Sequence, residues 1–278
     1  MINYDPKSWW GLIFKFHKSD TFRRLLPAMV SVALFNEGIA YLGLEVWPNH
    51  LRSTTAFHTL LGFVISLLLV FRTNTAYERW WEGRRQWGAL TNASRNIALK
   101  LDARLPNGHV SRKAIAAALG DYAAALKDHL RDVPATHVSP IRHAPNAIAA
   151  RLFAEVEGMR RNGNLAFEDI INLNADLTAL TDICGACERI KKTPIPYSYS
   201  LFLKKFVFVY IVSMPFVFVA DFGYWTAAFT TFMFYVLASL EIIAEEVENP
   251  FGVDANDLPT DEMARNIAAN VREILVGK

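Results

Sequence analysis

The chain has 278 residues, of which 52% are hydrophobic and 13% aromatic, a composition that excludes a disordered segment, a collagen-like fibre and a disulfide-stapled miniprotein. Its 29 basic and 27 acidic residues leave a formal charge of +2, with no polyelectrolyte drive toward nucleic acid, and two cysteines imply no oxidised framework. A mean hydropathy of +0.16 fits either a greasy soluble protein or a membrane protein diluted by a polar domain, so the distribution along the chain decides.

Residues 1–24 carry Lys7, Lys15, Lys18, Arg23 and Arg24; the segment is broken by charges and lacks the small-residue site of a cleavable signal peptide. Residues 25–44 form a first apolar run, interrupted by Asn36 and Glu37. Those two groups are costly against lipid and acceptable against a neighbouring helix or water. Residues 53–71 hold no formally charged side chain over 19 positions, about the length a helix needs to cross roughly 30 Å of hydrocarbon. Within this run Phe63, Leu67 and Phe71 recur every four residues and lie on one slowly turning stripe of a helix. Such a stripe has two readings. It packs against another helix, or in a symmetric ring it lines a narrow hydrophobic pore that gates by dewetting.

From residue 73 to 200 the chain turns polar. Apolar positions at three- and four-residue spacing predict helices over about 79–104, 111–131, 146–161 and 166–192, with Pro and Gly breaks at 106–108, 134–145 and 162–164. The cluster Arg79, Trp80, Trp81, Glu82, Arg84, Arg85 reads as an interfacial aromatic and basic belt. Cys184 and Cys187 form C-G-A-C inside a helical pattern, away from the strand-to-helix junction that redox chemistry uses and without two further zinc ligands. The histidines at 17, 50, 58, 109, 129, 137 and 143 show no tight ligand spacing.

A third run covers 206–220, follows Lys204 and Lys205, which can snorkel, and holds Pro215. A fourth covers another 19 residues, 222–240. Beyond it Glu241, Glu245, Glu246 and Glu248 lead into Asn249-Pro250-Phe251-Gly252, with Asp254, Asn256 and Asp257 following. Oxygen side chains this dense hold a hard cation or cap a helix and pair with arginines. No Walker loop, G-x-G-x-x-G or G-x-S-x-G is present, so no enzyme is expected.

The pattern predicts an all-α integral membrane protein with four transmembrane helices and a helical cytosolic region. Its expected segments are a cytosolic 1–24, spans one and two over 25–72, a cytosolic helical insert over 73–200, spans three and four over 201–247, and a cytosolic 248–278. Basic residues before the first span and after the second, against Arg52 alone between them, place both termini in the cytoplasm.

Three ordered motifs resemble the bestrophin family in its bacterial form: F-R-T-N-T-A-Y-E-R-W-W-E at 71–82, P-I-P-Y at 194–197 and E-E-V-E-N-P-F-G at 245–252. The resemblance implies a homopentameric ion channel in a bacterial inner membrane, with small inorganic ions and lipid as its other partners and no cofactor. It implies that the second helix lines a central pore, whose neck of three hydrophobic rings falls on Phe63, Leu67 and Phe71. It further implies a cytosolic constriction, and counting back from Pro196 without a gap places it at Glu168. Relatives often carry a branched apolar residue there, so an acid implies attraction of cations; animal members conduct anions, and some bacterial ones look cation-conducting. The calcium clasp of animal members aligns with Glu246, Asn249, Asp254 and Asp257, diluted here by Val253, Ala255 and Asn256, so a structural cap is the expectation. The alternatives are an ion-coupled transporter using Glu37, His58 and Glu168 as its ionisable groups, and a non-conducting membrane scaffold or sensor.

Overall fold

The computed structural model describes residues 20–47, 55–133 and 143–277. Lys7, Lys15, Lys18, Arg52, His17, His50, His137, the first two positions of the run at 53–71 and most of the break at 134–145 lie outside the described residues. Among the described residues there are eight α-helices and no strand, so the chain is all-α. They are α1 (Asp20–Tyr41), which runs into a π-helical turn at Leu42–Val46, α2 (Thr55–Asp102), α3 (Val110–Leu130), α4 (Ala144–Arg161), α5 (Phe167–Lys192), α6 (Tyr197–Phe222), α7 (Trp225–Glu248) and α8 (Thr260–Val276). Four are long and apolar enough to cross a membrane: α1 with its π turn, α2, α6 and α7.

One expectation about a boundary is corrected. Rather than a span ending near residue 71 and a second helix starting near 79, α2 is one helix of 48 residues. The polar stretch at 72–78 contains neither Pro nor Gly, and its threonines satisfy themselves on the helix: the Thr73 and Thr75 hydroxyls donate to the carbonyls of Leu69 (2.8 Å) and Phe71 (2.9 Å). The 15-residue run at 206–220 is the centre of a 26-residue helix, α6, which starts at Tyr197 of the P-I-P-Y motif. Pro196 stands at its N-cap, where a fixed φ and a missing N–H cost nothing. Gly223, at φ +55°, supplies the left-handed turn between α6 and α7.

The chain divides into two compact units. One, Ile2–Glu78 with Ile195–Glu248, holds α1, the first half of α2, α6 and α7. Here α7 packs on α1 and α6, and a modest core gathers Ile65 and Leu69 with Leu203, Tyr210, Ile211 and Met214. Gly62 permits the close approach of α2 to α6, since a Cβ there would fall 2.8 Å from the Tyr210 hydroxyl.

The second unit, Arg79–Pro194 with Asn249–Lys278, contains the rest of α2 with α3, α4, α5 and α8. Its core is large and includes Trp87, Leu90, Ile97, Leu119, Leu126 and Leu180, all fully buried. The C-terminal helix belongs to it: α8 packs along α3 and buries Ala264, Ile267, Val271 and Leu275 at three- and four-residue spacing. The Arg131 guanidinium reaches the Asp261 carboxylate (2.7 Å) and the Thr260 hydroxyl (2.9 Å), which fixes the start of α8.

Candidate functional site

The stripe predicted on the second span lies on the face of α2 that its own chain leaves uncovered. His58, Ile65, Leu69, Arg72 and Ala76 are buried at three-, four- and seven-residue intervals, whereas Phe63, Leu67 and Phe71 are 67%, 46% and 56% exposed. Packing within the chain therefore does not account for the stripe. At 1.5 Å per residue its three side chains span about 12 Å of helix axis. Polar groups on this segment are turned back onto their own helix, as the Thr59 and Ser66 hydroxyls donate to the carbonyls of Thr55 (3.0 Å) and Gly62 (2.8 Å).

Directly after Phe71, Arg72 is 1% exposed. Its guanidinium donates to Glu248 Oε2 at 2.7 Å and lies 3.6 Å from Glu241, while the other Glu248 oxygen accepts the Ile195 backbone N–H at 2.7 Å. One residue from each of the three sequence motifs thus meets at a single carboxylate. A buried arginine left without its acid is strongly destabilising, so this junction fixes the stripe-bearing helix to α6 and α7. The sequence marks Arg72 and Glu248 as members of separate motifs and carries no signal that pairs them, since they stand 176 residues apart.

Glu168 sits in the first turn of α5, exposed, with Phe167 and Ile171 exposed beside it. Among the described residues it makes no ion pair. Its neighbour Asp169 is committed, accepting the Ala166 N–H (3.0 Å) and pairing with Arg104 (2.8 Å). A carboxylate on the first turn is favoured by the partial positive charge of the helix N-terminus.

The four positions aligned with a calcium clasp do different work. Glu246, in the last turn of α7, lies 4.0 Å from Arg24. In the loop before α8, Asp257 is buried and accepts the Asp254 N–H at 2.7 Å, and Leu258 donates its N–H to the Pro250 carbonyl at 2.9 Å. A Cβ on Gly252 would fall 2.6 Å from the same Asp257 carboxylate, so glycine leaves room for that carboxylate to close the loop. Asn249 and Asp254 are exposed. Asp257 thus closes its own loop.

The belt reading of Arg79 and Trp80 is corrected. Arg79 donates to the carbonyls of Ile190 (2.6 Å) and Thr193 at the C-terminal end of α5, where a cation meets the unsatisfied carbonyls of a helix end. The Trp80 indole N–H donates to the Asn256 carbonyl at 3.0 Å. Both side chains serve the inside of the helical unit; Trp81 is 49% exposed. Cys184 and Cys187 are buried on α5, and burial pushes their thiols up to about 11 and 12, far from the range of a reactive thiolate. His58 is buried and stacked on Tyr210 at 4.2 Å, and Glu37 is exposed on α1.

Three histidine or carboxylate side chains outside these positions come together in the helical unit. His129, His143 and Glu188 place their ligand atoms within 4.8 Å of one another. They stand 59 and 45 residues apart along the chain, counted from Glu188, so no local spacing could have found them.

The family model described as Bacterial/Fungal Bestrophin protein matches residues 1–273. A voltage-dependent anion channel-forming protein of Escherichia coli strain K12 is 31% identical, with 99% of this chain and 94% of that protein covered. A protein of the same description from Synechocystis is 29% identical, with 97% and 92% covered. The crystal structure of a bacterial bestrophin homolog from Klebsiella pneumoniae superposes with a TM-score of 0.83 at 28% identity, covering 90% of this chain and 98% of that one.

Proposed function

The chain belongs to the Bacterial/Fungal Bestrophin family, and on that premise we propose that it is a passive homopentameric channel for small monovalent ions. Phe63, Leu67 and Phe71 are its neck. The observation that carries this reading is the stripe's position on the uncovered face of α2, opposite the face that packs. Five copies of each side chain around an axis make three apolar rings, and an ion crosses such a constriction only when water wets it. Four spans with basic residues before the first and after the second orient both termini toward the cytoplasm of a bacterial inner membrane.

Glu168 is the cytosolic constriction in this reading. Five carboxylates on one ring attract cations and repel anions, and an exposed acid with an exposed apolar neighbour on either side suits that position. A specific observation favours a second reading of selectivity: the relatives from Escherichia coli and Synechocystis carry the description of anion channels. Reversal potentials of the purified protein in a planar bilayer, under asymmetric salt, decide between them by their sign. Cation conduction whose reversal potential shifts in Glu168→Gln supports the ring; anion conduction, or cation conduction unchanged in that variant, removes it. Absence of current for any small ion removes the channel itself.

A further inference from the structure

The helical unit carries a three-residue cluster for which ion conduction has no use. His129 lies in the last turn of α3, His143 is the N-cap of α4, and Glu188 stands one turn before the end of α5. Both imidazole Nε2 atoms converge on one carboxylate oxygen, Glu188 Oε1, at 2.6 Å from His129 and 2.8 Å from His143. Their rings lie 4.5 Å apart, and all three side chains are one-fifth to one-third exposed, so an ion from solvent can reach them.

We propose that His129, His143 and Glu188 form a binding site for a divalent transition metal of the zinc class, with water completing the coordination. Two neutral imidazoles and one carboxylate are the protein ligand set of an open zinc site, in which three side chains hold the ion and the fourth position stays solvated. Ligand atoms around a tetrahedral zinc with bonds of about 2.0–2.1 Å lie roughly 3.3 Å apart. The two His–Glu separations therefore open by about half an ångström, within reach of a partly exposed glutamate. Metal-free, each Nε2 carries the proton that it donates to the carboxylate. On binding, each imidazole moves its proton to Nδ1 and gives the Nε2 lone pair to the ion, so charge and protons balance without a further reactant. For His143 this replaces one bond, because its Nδ1 accepts the Asn146 N–H at 3.2 Å in the metal-free protein. That N–H is exposed and water takes it over. Lys192, 3.5 Å from the other Glu188 oxygen, is 69% exposed and free to swing away. The two nearby thiols are buried and do not compete.

The site ties α3, α4 and α5 together, so the ion stabilises the helical unit by mass action. The test uses the full chain, purified in detergent, stripped with chelator and titrated calorimetrically with zinc chloride alone. One saturable zinc per chain is expected, with affinity lowered by more than about tenfold, a loss that even outer-shell partners of metal sites carry, in both His129→Ala and Glu188→Gln. Cys184→Ala/Cys187→Ala is expected to bind as the unsubstituted chain does. Should a substituted chain fail to fold, X-ray absorption on the unsubstituted zinc-loaded protein answers the question directly: nitrogen and oxygen at about 2.0–2.1 Å with imidazole scattering is expected, and a sulfur shell at about 2.3 Å overturns the site. Absence of saturable binding, or binding unchanged by both single substitutions, also overturns it.

Discussion

The two units spend the same kinds of side chain in opposite ways. In the helical unit Trp87, Leu90, Ile97, Leu119 and Leu126 are fully buried. In the other unit Phe202, Phe208, Phe229, Phe232 and the stripe residues Phe63 and Phe71 are more than half exposed. The difference teaches which solvent each unit is built for. Water drives apolar groups inward in the helical unit, whereas a bilayer imposes no such penalty and helix association there rests on close packing and polar contacts. The helical unit is held by its core, the membrane-type unit by a few close contacts and ionic junctions, and the stripe is left uncovered within the chain.

The largest expected effect tests the junction. Glu248→Ala removes the closer acid of the buried Arg72, leaving only Glu241 at 3.6 Å, and leaves the Ile195 N–H without its acceptor, and is expected to cost about 3–5 kcal/mol. Thermal unfolding of the purified protein measures it, and a midpoint unchanged from the unsubstituted chain would show that the junction holds nothing. Next, Leu119→Ala in the fully buried core of the helical unit is expected to destabilise by about 2–5 kcal/mol, seen as an early loss of helix by circular dichroism. Phe71→Ala on the exposed stripe sharpens the contrast: it is expected to cost well under 1 kcal/mol, since it opens no cavity within the chain, while single-channel conductance rises. A large loss of stability with unchanged conductance would make the stripe a packing surface.

The smallest effect concerns Asp261 at the start of α8. Partial burial works to raise its pKa, but hydrogen bonds from Arg131 and Lys127 outweigh this and hold it below the ordinary carboxylate value. A depressed folded-state pKa gives stability that is fully present above the unfolded value and lost as pH falls through the folded one. Because the carboxylate is 46% exposed, the contribution is below about 1 kcal/mol. Asp261→Asn should slightly lower the unfolding midpoint at neutral pH, a difference that shrinks and disappears as pH falls through the depressed folded-state value; an equal difference at neutral and strongly acidic pH would mean that the charge is irrelevant.

Much of the architecture was legible because its signals are local. Residues 53–71 and 222–240 announce membrane-length helices by the absence of charge alone, and the four-residue repeat of Phe63, Leu67 and Phe71 marks a helix face before any neighbour is known. What such signals miss is where a helix stops when nothing breaks it. The charged stretch at 72–78 looked like an end and is the middle of α2, since threonine and arginine are compatible with helix once their polar groups find partners. Arg79 and Trp80 were misread for a related reason: an interfacial composition and a helix-capping arginine look alike until the capped carbonyls of Ile190 and Thr193 are in view.

By itself the sequence determined the all-α class, the four membrane-length helices and the stripe, because hydrophobic length and helical period are properties of adjacent residues. Only tertiary structure decided which face of α2 stays uncovered, that Arg72, Ile195 and Glu248 share one junction, and that His129, His143 and Glu188 meet. The hydrogen-bonded pairs among them lie 45 to 176 residues apart. Their meeting depends on how whole helices pack, and no local spacing encodes that.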